Sequence, residues 1–209
     1  MAHARLTWAL AALWSALACG APPATPPATP PPPPAAAQPL LPAGSAERVA
    51  SARTGLSVTL PSAGSWRIDD GARWLVASHA ESRSELSLRV WRAHRRVRIE
   101  ECRAQVALWR PEFPTWSETE VLDQRDLQAP KDFAGTVTVL VRPVVGSSEL
   151  EGWVVAFGAS IDKCFAGLFR TRASGSGAEA ALGDRLAQAV DQLLPSAAEL
   201  GVDARVPSR

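Results

Sequence analysis

The chain has 209 residues, 22 basic and 21 acidic side chains, a net charge of +1 and 46% apolar residues. That balance excludes a broadly basic nucleic-acid-binding chain, and the apolar content excludes one that is disordered throughout. The 18 prolines are concentrated near the start, so one globular unit cannot account for the whole length.

His3 and Arg5 give a short basic start, and the apolar stretch from Leu6 to Leu17 follows. That stretch is too short to span a bilayer as a stable helix and reads as a secretory signal peptide, residues 1–18. It ends in Ala16-Leu17-Ala18-Cys19, which resembles the lipobox of bacterial lipoprotein precursors, with the apolar and small residues before the cysteine in swapped order. The resemblance implies cleavage before Cys19, lipidation of Cys19 and a membrane anchor. Gly20 follows with no acidic residue to retain the protein at an inner membrane. That implies an outer-membrane lipoprotein facing the periplasm or the cell surface. Ala16-x-Ala18 also fits an ordinary cleavage site that releases a soluble protein.

Residues 19–46 are almost wholly alanine, proline and threonine, with a proline run from Pro30 to Pro34. Proline pins φ near the polyproline II value, and such a segment has no side chains with which to build a core. It reads as a semi-rigid tether that reaches at most about 80 Å at roughly 3.1 Å per residue.

Residues 47–209 are enough for one α+β domain with a sizeable core. Gly55 to Leu60 places Leu56, Val58 and Leu60 on one face of a strand, and the sequence PSAGSW then turns the chain. Arg73 to His79 is a second strand, and Glu85 to Trp91 alternates with Leu86, Leu88 and Val90 on one side. The period then changes: Ile99, Cys102, Val106 and Trp109 predict a helix over 94–109, ended by Pro111 and Pro114. Glu118 to Leu127 and Thr136 to Arg142 read as strands, and Trp153 to Ala159 pairs with Cys164 to Arg170 as a hairpin across SIDK. Ser176 and Glu179 fit a capping box, followed by a helix with Leu182, Leu186, Val190 and Leu193 on one face and Pro195 as its stop. The sum is a mostly antiparallel sheet packed by at least two helices. This element order, with SVTLPSAGSW, ELSLRVW and GWVVAFGASIDKCFAGLFRTRA, resembles the PsbP-like α/β/α sandwich of some bacterial lipoproteins. The resemblance spans about Thr54 to Ala198 and implies binding or assembly, with no catalytic residue carried over.

An exported chain with three cysteines leaves one over after pairing. Lipid on Cys19 removes the remainder and leaves Cys102 and Cys164 to form a disulfide in an oxidising compartment. Two buried free thiols, or a metal held with His79 or His94, are the competing readings. No CxxC, HxH or HExxH spacing supports a metal site, and neither a metal nor a cofactor is expected.

No catalytic residue is expected either. The nucleophile elbow G-x-S-x-G, the Walker loop and the dinucleotide-binding G-x-G-x-x-G are all missing from the sequence. Asp69-Asp70 and Glu100-Glu101 are adjacent carboxylates that diverge on a strand or helix. Two surface features remain. From Arg83 to Arg110 arginines far outnumber glutamates, and Arg92, Arg95 and Arg96 cluster where the helix is expected to begin. A helix N-terminus disfavours cations, so the cluster implies an anionic partner or internal pairing with the acidic stretch from Glu112 to Asp132. Among the tryptophans, Trp109 and Trp153 read as core by periodicity, whereas Trp91 and Trp116 are candidates for an exposed contact.

The expected function is therefore a lipid-anchored, non-enzymatic envelope protein that binds a partner protein or an anionic envelope polymer, not nucleic acid. An envelope hydrolase with an unrecognised site is the alternative. Mass spectrometry of the mature chain is expected to show acyl groups on Cys19; an unmodified cysteine there would remove the anchor.

Overall fold

The computed structural model describes residues 45–61 and 63–200, without the side chains of residues 63 and 119. The signal peptide, the lipidation site Cys19 and the tether up to residue 44 lie outside the described residues. In chain order the strands are β1 (Ala46–Ser51), β2 (Leu56–Pro61), β3 (Arg67–Asp69), β4 (Leu75–His79) and β5 (Ser84–Arg92). Helix α1 (Ile99–Trp109) is followed by β6 (Val121–Asp126), β7 (Ala134–Pro143), β8 (Glu149–Ala159) and β9 (Lys163–Ser174). Helix α2 (Ala178–Gln188) and the short β10 (Ala198–Glu199) complete the described chain. The result is a sheet-dominated α+β fold.

The main sheet has the order β3-β4-β5-β9-β8-β7-β6, and a smaller one the order β1-β2-β10; every pairing is antiparallel. Period-two alternation assigns the two faces. Leu86 and Leu88 of β5, Val154 and Ala156 of β8, and Phe165 and Phe169 of β9 form one core with Leu182 and Leu186 of α2 and with Leu56, Val58 and Leu60 of β2. The opposite face carries Val155 and Phe157 of β8 and Ala166 and Leu168 of β9, packed with Val106 of α1. Each fully buried leucine contributes about 2 kcal/mol of transfer free energy, so the α2 side is the stronger of the two cores. Helix α2 approaches β8 closely because Gly152 has no side chain: a Cβ there would lie 2.9 Å from Leu186 and 3.1 Å from Leu182.

Three local expectations change. Helix α1 begins at Ile99 and not at residue 94, because the preceding segment is bonded to the tip of the β8–β9 hairpin. Ala93 N–H donates to Asp162 O at 2.8 Å and Val97 N–H to Ile161 O at 3.2 Å, while His94 has φ +58°. The capping box expected at Ser176 and Glu179 does not form; Gly177 is the N-cap of α2, after Gly175 turns the chain at φ +82°. A capping box does form at Ser117 and Glu120, on a 3₁₀ turn that shortens the strand expected over 118–127 to β6. Beyond Gln188 the chain continues through a π-helical turn, Ala189–Leu193, and a 3₁₀ turn, Leu194–Ser196, that takes in Pro195. Strands β1, β3 and β10 are additions to the sequence reading.

Cys102 and Cys164 are joined by a disulfide, with their Cα atoms 5.6 Å apart. Cys102 and Val106 are the buried residues of α1, so the bond fixes a helix whose own apolar contact with the sheet is narrow. A cross-link with a sequence separation of 62 stabilises a fold by about 4 kcal/mol through the entropy of the unfolded chain. The double variant Cys102→Ala/Cys164→Ala is expected to lose about that much unfolding free energy in urea titrations; an unchanged midpoint would deny the bond any stabilising role.

Candidate functional site

On β5, Leu86, Leu88 and Val90 enter the α2-side core, so Glu85, Ser87, Arg89 and Trp91 project beneath α1. The guanidinium carbon of Arg89 lies 3.7 Å from the centre of the Trp109 ring, 5.6 Å from Trp74 and 5.7 Å from Trp91. Trp91 and Trp109 meet edge to face at 5.1 Å, and Trp91 Nε1 donates to Gln105 Oε1 at 2.8 Å. Arg89 is 7% exposed, and among the described residues it makes no ion pair and no side-chain hydrogen bond. Burial holds its pKa below the ordinary arginine value, with Arg73 acting in the same direction, and no carboxylate opposes them. An arginine nonetheless stays protonated in a protein. A desolvated cation over indole gains about 2 kcal/mol, whereas removing an ion from water costs several. The position is therefore one where stability has been given up.

Arginine and aromatic rings alternate elsewhere on this face. Arg110 lies 5.2 Å from the Trp74 ring and also pairs with Glu85 at 3.8 Å and with Glu112. Arg170 lies 4.8 Å from Trp153 and pairs with Glu151 at 2.5 Å. On the other flank of α1, Arg103 lies 5.1 Å from Trp116 and 5.3 Å from Phe157. Trp116, Phe113, Phe157 and Arg103 line a cavity of about 370 Å³.

The residues singled out from the sequence fall in two places. Trp91 and Arg92 end β5, and Arg95 and Arg96 follow on the loop over 93–98, so these four share one edge of the domain. Arg92, Arg95 and Arg96 are exposed; Arg95 pairs with Glu101 at 3.2 Å. Trp91 is half-buried against Trp109, and Trp116 is half-buried across α1 from it. Trp153 is core, as its periodicity implies, but Trp109 is half-buried at the last turn of α1. Among the described residues Arg110 is the one arginine of the 83–110 segment that meets the acidic stretch, through Glu112. Most of that segment is thus not neutralised in the way expected of internal pairing.

The sequence reading missed a buried polar network. His79 Nδ1 accepts from Ser82 N–H at 3.2 Å and lies 2.7 Å from Ser82 Oγ. Ser82 Oγ donates to Ser84 Oγ, and Ser84 Oγ to Thr171 Oγ1, each at 2.9 Å. From α2, Arg185 Nη1 donates to Ser82 O, Arg172 O and Thr171 Oγ1 at 2.9, 2.8 and 3.2 Å. The visible signal was an arginine on the apolar stripe of α2, between Leu182 and Leu186. A serine touching a histidine is half of a nucleophilic triad, yet Ser82 is 0% exposed and no carboxylate belongs to these hydrogen bonds. The network ties the β4–β5 turn to β9 and α2. Cys102 and Cys164 spend their sulfurs on each other, and among the described residues no three His, Cys, Asp or Glu converge as metal ligands. Nor is any helix among them long and apolar enough to cross a membrane.

No family model and no curated protein matches this sequence. Among solved structures, a 1.50 Å crystal structure from Bacteroides thetaiotaomicron VPI-5482 is similar, with a TM-score of 0.43 and 8% sequence identity. The match covers 73% of this chain and 47% of that one, so this chain spans about half the length of that protein.

Burial lowers the pKa of His79, and Arg185 adds to the effect against the opposing charge of Glu81. The unfolded chain therefore binds a proton at this residue before the folded one does. Stability is fully present above about pH 6.5, the ordinary histidine value, and declines below it by at most about 1.4 kcal/mol per pH unit. Urea midpoints from pH 7.5 to 5 are expected to fall accordingly, and His79→Gln is expected to flatten that window.

Proposed function

We propose that the chain is a lipid-anchored, non-enzymatic protein of the cell envelope, whose domain binds an anionic partner along the edge formed by Trp91, Arg92, Arg95 and Arg96. The observation that carries this reading is the crowding of cations on one exposed loop. Arg83, Arg110, Arg125, Arg142, Arg170 and Arg172 each have a carboxylate partner. Among the described residues Arg92, Arg96 and Arg98 have none, and Arg95 has a half-buried one in Glu101. Like charges held together on one loop repel, and a partner of opposite sign relieves that cost. The disulfide supports an oxidising compartment. Helices on opposite faces of an antiparallel sheet support a PsbP-like sandwich as the finer description of the fold. The tether would hold this edge away from the outer membrane, facing the periplasm or the cell surface.

Crosslinking in intact cells from a photoreactive residue at the exposed position 161, on the hairpin tip bonded to this loop, followed by mass spectrometry, tests the reading. One dominant acidic envelope protein or polymer is expected, and its capture should fall about tenfold in Arg92→Glu/Arg95→Glu/Arg96→Glu. Equal capture by that variant, or no captured partner, would overturn the proposal.

A further inference from the structure

Strand β4 begins at Leu75, opposite Leu88, so β5 runs on from Arg89 to Arg92 with no β4 partner. The space beside this stretch is a pocket of about 490 Å³ lined by Arg53, Thr54, Gly71, Arg73, Arg89 and Trp91, among others. Three of these residues are cationic and no acidic residue lines the pocket. Two nearby acids do not line the pocket and accept hydrogen bonds: Asp69 Oδ1 from Gly71 N–H and Asp70 Oδ2 from Ser51 Oγ, both at 2.8 Å. Arg53 Nη1 donates to Gly71 O at 2.8 Å, which fixes the rim while leaving its other N–H groups free to donate. At the inner wall stands Arg89, more than nine-tenths buried and without a protein acceptor among the described residues.

We infer that this pocket is a binding site for one oxyanion group, a carboxylate or a phosphate, held between Arg89 and Arg73 with the body of its ligand against Trp91. Planar guanidinium groups present paired N–H donors that match either oxyanion. Arg89 is already desolvated and stacked, so its donors are pre-oriented and the cost of removing it from water has been met by the fold. A purely structural arginine at this depth would be expected to have found hydrogen-bond acceptors, as Arg185 has in Ser82 O, Thr171 Oγ1 and Arg172 O. The site shares Trp91 with the edge proposed above but takes in none of Arg92, Arg95 and Arg96, so reversing those charges tests the edge while Arg73→Ala tests the pocket.

The test is titration of the purified full chain, disulfide intact, with inorganic phosphate and separately with galacturonate, read by tryptophan fluorescence. Three indoles surround Arg89, so occupancy changes their environment. At least one anion should give a saturable signal, and which one distinguishes a phosphate-bearing source from a uronic acid. Arg89→Met should abolish the signal while unfolding at the same or higher urea concentration. Arg73→Ala, at an exposed position, should weaken binding about tenfold. Lys131→Ala, remote from the pocket, should bind as the unaltered chain does. The inference is overturned if neither anion saturates the signal below about 10 mM, if Arg73→Ala binds unchanged, or if Lys131→Ala weakens binding as much as Arg73→Ala does.

Discussion

The covalent bond between Cys102 and Cys164 is the constraint on which the α1 face depends. A helix that buries only Cys102 and Val106 has too little apolar surface to hold its own position against solvent. Tied to the second residue of β9, it nevertheless places Gln105 and Trp109 over β5 and Arg103 over β8. The stack of Trp109, Arg89 and Trp74 follows from that placement. Without the bond, the indole that lies 3.7 Å from the Arg89 guanidinium would be on a frayed last turn.

The two sides of the sheet solve different problems. On the α2 side, leucine, valine and phenylalanine interdigitate, Gly152 lets the helix sit close, and in the buried polar network from His79 to Arg185 the Arg185 Nη1 donates to serine, threonine and backbone oxygens. That side behaves as a structural core. On the α1 side, arginines are threaded between indoles, and charge remains where apolar residues would give more stability. Arginine suits this layer because it stacks as a plane and donates at its edge; lysine, a compact and strongly hydrated charge, does neither.

The core strands were legible because β5, β8 and β9 carry long alternating or continuous apolar runs, and the β8–β9 hairpin followed from its short turn. What escaped was set by tertiary contact. β1, β3 and β10 are short or largely exposed, so no apolar period marks them. The start of α1 is decided by bonds from Ala93 and Val97 to a hairpin tip about 65 residues later in the chain, which no local pattern records. Arg92, Arg95 and Arg96 were visible as a charge cluster. Arg89 belongs to the same arginine-rich stretch, but its burial was not legible, because alternation marks it only as the polar side of a half-exposed strand. The sheet's second helix makes that side an interior.

The difference between these two groups of arginines bears on how the domain would act. Exposed cations on a loop gain little from any single contact, are screened by salt, and serve mainly to attract and orient a partner of opposite charge. A mostly buried cation without a carboxylate partner is the reverse: much of its desolvation has been met by the fold, so a single correctly shaped anion gains a charge-assisted bond against a low-dielectric wall. Both lie within a few residues of Trp91, where β5 outruns β4. On the readings proposed above, one short stretch of strand would combine a surface for long-range attraction with a pocket for short-range selection.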